Sequence, residues 1–263
     1  MENSKHPLVK LERIRAGYDK TVLTDVDLTI YDRDFLGIIG PNGGGKTTLI
    51  KLILGLHRPS GGTITYFKDG LPTPEIRIGY LPQYNKLDKR FPISVREVVL
   101  SGLHCEKKLW QRFTPEHHRR VDETLHFLDM EQVADRPVGT LSGGQLQRAL
   151  LGRAIVAEPD LLILDEPNTY IDMRFESKLY QHLDQLNSRC AIALVSHDVG
   201  TVLQRVKNIA CVDREVHYHP ASEVTAEHLE QLLGCPFQLV AHGDLPHRVL
   251  CTHPHPTSHP DNQ

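Results

Sequence analysis

Gly40-Pro41-Asn42-Gly43-Gly44-Gly45-Lys46-Thr47-Thr48 decides how the rest of the chain is read. It fits G-x-x-x-x-G-K-[ST], a loop whose backbone N–H groups wrap phosphate oxygens while the lysine and a hydroxyl reach the terminal phosphates and Mg²⁺. The pattern has meaning only between an entering buried strand and a leaving helix. Phe35-Leu36-Gly37-Ile38-Ile39 is a short apolar run of buried-strand type, and Thr48 to Leu54 reads as a helix closing at Gly55. Glycines let the backbone turn around an anion without a Cβ in the way, and the new helix offers unpaired N–H groups and its positive dipole end. The expected roles follow: Lys46 on the β- and γ-phosphates, Thr47 on Mg²⁺.

A second run, Leu161-Leu162-Ile163-Leu164-Asp165-Glu166-Pro167, is an apolar strand that ends in two acids. In an open parallel sheet such acids emerge at the carboxyl edge, beside a phosphate loop. Asp165 suits Mg²⁺, through water, and Glu166 suits the polarisation of a water that attacks the γ-phosphate.

The 263 residues suffice for one large domain or two small ones, and their composition is ordinary globular, 40% hydrophobic and 24% charged. A net charge of -3 and a pI near 6.6 argue against binding nucleic acid by phosphate neutralisation. The polar start, Met1 to Pro7, lacks the apolar core of a signal peptide, and no later run has bilayer-spanning length, so the chain is expected in the cytosol. Cys105, Cys190, Cys211, Cys235 and Cys251 form no C-x-x-C pair and are expected to be free thiols.

Alternating short segments from Leu8 to Ile30 predict an antiparallel β-layer before the loop, and Thr63–Phe67 and Arg77–Leu81 predict further strands. Helical periodicity between about 93 and 157 predicts a helical insertion. Strand and helix then alternate to about Tyr218, which implies a parallel sheet with helices on its faces. Beyond Pro236 periodicity fades and His242, His247, His253, His255 and His259 alternate with prolines, as in a mobile tail. Those imidazoles either bind a divalent metal or are simply solvated. The expected division is a nucleotide-binding domain over 1–235 and a tail over 236–263.

Leu141-Ser142-Gly143-Gly144-Gln145 adds another Gly-Gly helix start with a serine hydroxyl, suited to a phosphate. Here the chain resembles the ATP-binding subunit of ABC transporters, whose signature is LSGGQ. The resemblance implies a P-loop α/β fold with a mixed central sheet, an antiparallel β-layer and a helical subdomain. It also implies ATP and Mg²⁺ as ligands, and a head-to-tail homodimer in which Ser142, Gly143, Gly144 and Gln145 complete the partner's site. Further matches fall in order over residues 18–198: Tyr18 for stacking on adenine, Gln83 for Mg²⁺ and the attacking water, Asp172 for contact across the dimer, His197 for the γ-phosphate. The chain departs from the family pattern in two places. Thr169 and Tyr170 stand where small residues are usual, and Gly44 stands where alanine is usual, a change expected to add freedom and nothing more. Asn85-Lys86-Leu87-Asp88 spells a guanine-specificity motif but precedes the acidic strand, so it is set aside.

One cassette without a membrane span resembles the separate ATPase subunits of bacterial importers. A partner permease is then implied on the cytoplasmic face of the plasma membrane, with a periplasmic or surface substrate-binding protein reached through it. The wording of Gly40–Leu54, Tyr80–Gln83, Phe91–Val99 and Val133–Leu141 is most similar to the zinc and manganese branch. Iron-chelate and haem importers share much of it, and a soluble ATPase acting on nucleic acid or ribosomes is the remaining alternative.

Overall fold

Apolar periodicity and helix caps account for most element boundaries in the computed structural model, which describes residues 6–18, 20–83, 92–108, 110–167, 173–197, 199–223, 237–241 and 246–251. Side chains are described up to residue 222, apart from 173–177, 199 and 201. The chain begins with β1 (Pro7–Gly17), β2 (Thr21–Tyr31) and β3 (Phe35–Ile39) and enters α1 (Lys46–Ile53) through the glycine loop. Next come β4 (Gly61–Lys68), β5 (Leu71–Thr73) and β6 (Ile78–Leu81), then the helical stretch α2 (Val95–Ser101), α3 (Pro115–Phe127) and α4 (Gly143–Ile155). It closes with β7 (Leu161–Asp165), α5 (Met173–Asn187), β8 (Ala191–Val195), α6 (Val199–Arg205), β9 (Asn208–Asp213), β10 (Glu215–Pro220), β11 (Phe237–Ala241) and β12 (Pro246–Cys251).

Strands β2-β1-β4-β5 form the expected antiparallel layer, with Leu11 opposite Leu28 on one side and Ile64 on the other. The main sheet runs β10-β9-β3-β8-β7-β6, parallel throughout except for β10 on its edge. Strands β3, β7 and β8 are buried along their whole length, which is why they read as unbroken apolar runs. Their side chains alternate between two cores. Phe35, Ile39, Leu162, Leu164, Ile192 and Leu194 pack towards α2, α3, α4 and α5. Leu36, Ile38, Ile163, Ala193 and Val195 pack towards α1 and the antiparallel layer.

Helix α1 is held on that second side by Leu49, Ile50, Leu52 and Ile53, all buried, each contributing about 1.5–3 kcal/mol of burial energy. The insertion's helices start on reciprocal caps: Ser94 with Glu97, Thr114 with His117 behind Pro115, and Ser142 with Gln145.

Register settles where the site falls. Ile38 lies opposite Val195, Asp165 opposite Val195, and Leu81 opposite Leu164. The segments that follow β3, β6, β7 and β8 therefore leave the sheet at one edge, and they carry the glycine loop, Gln83, Glu166 and His197.

The chain beyond Pro236 differs from the expectation of a tail without regular structure. Strands β11 and β12 pair antiparallel, Leu239 opposite Val249 and Gln238 opposite Leu250. Each strand carries two adjacent β-forming apolar residues, too short a run for periodicity to register, and cross-strand pairing supplies the missing order. His242, His253, His255 and His259 lie outside the described residues, as does Asn85 to Asp88. Cys105, Cys190 and Cys211 are free thiols; burial pushes Cys190 up to about 12 and Cys211 to about 11, so both behave as small apolar residues.

Candidate nucleotide site

The loop from Gly40 to Gly45 is braced from β9 and β10. At Gly40, with φ +151, an added Cβ would meet the Val212 carbonyl oxygen at 2.1 Å. Gly44 is also wedged: its Cβ would come within 2.7 Å of the same oxygen, while its own carbonyl accepts the Arg214 N–H at 2.9 Å. This corrects the expectation for Gly44, which serves a close approach of two backbones and not loop freedom. The Gly44 N–H donates to Pro41 O at 3.1 Å, and Asn42 and Gly43 form the exposed tip.

Lys46 opens α1. Its Nζ donates to Gly40 O at 2.7 Å and Pro41 O at 3.0 Å, which holds the ammonium at the mouth of the loop. Burial lowers its pKa, partly offset by Glu166 and Asp165. Thr47 is exposed at the helix start and Thr48 is buried beneath it. The helix's N-cap, Gly45, has a positive φ and contributes no side-chain cap to the first N–H groups.

Opposite stand the two acids, Asp165 8% and Glu166 7% exposed. Burial raises the Asp165 pKa, and the adjacent Glu166 raises it further; the Tyr80 hydroxyl, donating to Oδ2 at 3.4 Å, Lys46 and the Gln83 backbone N–H oppose the rise. Burial and the same carboxylate push Tyr80 up to about 12, so it stays a donor. Gln83 thus meets Asp165 through its main chain, and its residue is exposed.

Glu166 is a non-glycine residue at φ +52, a sparsely populated conformation that aims its carboxylate away from the strand direction. Its N–H is held by Val195 O at 2.9 Å, and its Oε2 lies 2.6 Å from His197 Nδ1. The His197 side chain is 77% exposed, so the pair joins a buried carboxylate to a solvent-facing imidazole.

Ser142 and Gln145 satisfy each other: Ser142 Oγ accepts the Gln145 N–H at 3.3 Å and Gln145 Oε1 accepts the Ser142 N–H at 3.1 Å. Among the described residues, no hydrogen bond or ion pair joins Ser142, Gly143, Gly144 or Gln145 to the loop of Gly40 to Thr48. Asp172 and Tyr170 lie outside the described residues. Tyr18 is 63% exposed at the end of β1.

Two residues that motif reading passed over belong to the site. Tyr80 lies immediately before the Leu81-Pro82-Gln83 run and caps Asp165. Gln147, buried on α4, donates its amide to the Pro167 carbonyl and so ties the signature helix to the residue after Glu166. A polar residue at a core position of an apolar helix was the available signal.

A half-buried phosphate-loop lysine facing two buried carboxylates at the edge of a parallel sheet defines a P-loop nucleotide hydrolase. The ABC transporter family profile matches residues 23–169, more than half of the chain, and the chain belongs to that family as its ATP-hydrolysing component. It is 42% identical over 192 residues to a protein named probable metal transport system ATP-binding protein from Chlamydia trachomatis, covering 72% of this chain and 81% of the relative. It is 33% identical over 255 residues to the zinc import ATP-binding protein ZnuC of Hydrogenovibrio crunogenus, covering 95% and 96%. Among solved structures, a dimeric bacterial ABC transporter cassette superposes with a TM-score of 0.70 at 25% identity, covering 81% of this chain and 99% of the other. Among the described residues no helix is long and apolar enough to cross a membrane.

Proposed function

We propose that this chain powers the uptake of a divalent metal ion, zinc or manganese, through a separate membrane permease. The observation that carries the chemistry is the Glu166–His197 pair beside Asp165 at the sheet edge that also bears the phosphate loop. The cargo reading is supported by the relatives named for metal and zinc import, one of which spans nearly the whole chain.

ATP is bound with its β- and γ-phosphates on the N–H groups of Gly43 to Thr48 and on Lys46, which exchanges the Gly40 and Pro41 carbonyls for phosphate oxygens. The Thr47 hydroxyl, the Asp165 carboxylate and the Gln83 side-chain carbonyl all offer oxygen to a cation, and Asp165 is a buried carboxylate whose pKa burial and Glu166 raise, so the set fits Mg²⁺. When bound there, Mg²⁺ neutralises charge developing between the β- and γ-phosphates. Glu166 accepts the proton of the attacking water, and its strained backbone keeps the carboxylate aimed while His197 holds its other side. Phosphoryl transfer is to water.

The self-capped signature supports a site completed by a second copy, with Ser142 and the Gly143 to Gln145 N–H groups meeting the partner's γ-phosphate. The chain then sits at the cytoplasmic face of the membrane. Opening of the dimer after hydrolysis moves the permease through the helical stretch and Gln83, and Tyr18 stacks on adenine. The test is uptake of radioactive zinc or manganese by cells carrying wild-type or Glu166→Gln chain, together with the identity of the permease that co-purifies from membranes. Loss of uptake and a metal-type permease are expected. A haem or iron-chelate permease, or co-purified ribosomes, overturns the cargo reading.

A further inference from the structure

Tyr18 does not stand alone. The His57 ring stacks on it with centroids 4.6 Å apart and a 33° tilt, and His57 Nε2 donates to the Gly17 carbonyl at 3.0 Å. A carbonyl can only accept, so this bond places a proton on Nε2 and fixes the plane of the imidazole. Lys51 Nζ donates to the Tyr18 hydroxyl at 3.0 Å and lies 5.3 Å from the ring centroid, which puts the ammonium off the phenol's edge and not over its face. With both neighbours in place Tyr18 is still 63% exposed. Imidazole backs the ring, and most of the residue is left to solvent.

Both supports are tied to the end of α1. Lys51 lies in its last turn, and the N–H groups of Leu56 and His57, just past the helix, donate to the Lys51 carbonyl at 2.8 and 3.1 Å, closing the C-terminus around Gly55. Helix α1 and its closing turn therefore join the glycine loop at one end to both contacts with Tyr18 at the other. An isolated tyrosine on a loop must lose rotamer freedom to stack on a base, whereas one already held at hydroxyl and face has lost it beforehand.

We propose that His57 and Lys51 are positioning residues that set the Tyr18 ring as a fixed stacking plane for the adenine of ATP. This rests on the reading of Tyr18 as the adenine contact, and it adds that the plane's orientation is dictated by α1 and not by the β1–β2 turn. Binding of base and phosphate is then referred to one rigid helix. His57 never touches the nucleotide.

The test uses the full purified chain, with ATP turnover and competition by inorganic tripolyphosphate, which has phosphates and no base. His57→Ala is expected to raise the KM for ATP roughly three- to tenfold with kcat unchanged, the range typical of one aromatic contact. Tripolyphosphate inhibition stays as in wild type. His57→Phe, which keeps a ring on Tyr18, restores part of the KM; His57→Gln, which keeps a donor for Gly17 without a ring, restores less. Lys51→Met and Tyr18→Phe raise KM by equal, smaller factors that do not add when combined. A KM for His57→Ala within about twofold of wild type, while Tyr18→Ala raises it about tenfold, overturns the positioning role and spares the adenine contact. No change in Tyr18→Ala overturns the adenine reading itself. Equal weakening of ATP and tripolyphosphate overturns the proposal too, since the effect then travels through the phosphate loop.

Discussion

Helices α1 and α4 both begin at glycine-rich turns and both are assigned to phosphate in the function proposed above, yet their N-termini are finished differently. Gly45 ahead of α1 supplies no side-chain cap, and Lys46 fills the mouth of the loop by bonding two of its carbonyls. Ser142 ahead of α4 closes a reciprocal cap with Gln145. Helix-start N–H groups that the N-cap side chain leaves uncapped, beside a half-buried cation, suit an anion within one chain. A capped helix start holds its own shape and can engage phosphate only when one is delivered against it. In the proposed function this difference separates a half-site that binds from a half-site that completes.

The largest effects should come from the binding half. Lys46→Ala removes the cation the loop is built around, and Glu166→Gln removes the base while keeping its shape; each is expected to lower turnover by about 100-fold or more, read as phosphate release. Glu166→Gln should in addition accumulate an ATP-bound dimer on size exclusion. Undiminished ATPase activity in either variant removes the role assigned to it.

Asp165→Asn sharpens the same half by splitting stability from function. Burial raises this carboxyl's folded pKa above its ordinary value, so its contribution to stability is full below the usual carboxylate range and is lost as pH rises through the folded value. At neutral pH the ionised group weakens the fold. Asparagine should raise the melting temperature of the nucleotide-free chain by a few degrees, an advantage that shrinks as pH falls towards the carboxylate range, while the further rise on adding ATP with Mg²⁺ disappears. A lower melting temperature for Asp165→Asn at neutral pH would contradict the sign.

The completing half is tested by Ser142→Arg. ATP affinity of the isolated chain should stay within about twofold, whereas dimer formation and turnover fall about tenfold or more, because the added bulk meets the partner's phosphate and not the chain's own. Loss of ATP affinity in the isolated chain would mean the signature serves its own loop.

The sheet edge that gathers the site was legible before any coordinates, because Leu36 to Ile39, Leu161 to Leu164 and Ala191 to Val195 are buried on both faces and so read as unbroken apolar runs. The loop, Glu166 and His197 follow those strands, Asp165 ends one of them, and Gln83 follows the run Arg77 to Leu81, so placing the strands placed them. Tyr80 and His57 were not legible, and Gln147 showed only as a polar residue on an apolar helix: each acts through a partner far along the chain, Asp165, Tyr18 and Pro167 respectively, and pattern reading sees only near neighbours. Strands β11 and β12 escaped for a related reason, since pairing and not periodicity orders them. The packing of Gly44 depends on β9, more than 160 residues later in the chain, and no local pattern foretells it.

That last contact yields the smallest and most discriminating effect. Alanine is usual in the family at this position, so the loop as such tolerates a methyl group, but here the methyl would press on the Val212 carbonyl oxygen at 2.7 Å. Relief requires the loop and β9 to part slightly, at a cost near the low end of overpacking, about 1 kcal/mol, or a melting temperature lower by about 2–4 °C. The Arg214 N–H bond to the Gly44 carbonyl sits on the same seam and loosens with it. Since alanine removes no backbone donor and leaves the Lys46 contacts in place, Gly44→Ala should leave turnover within about twofold. A melting temperature unchanged by Gly44→Ala would mean that β9 yields freely, and the binding half would then be braced by α1 alone.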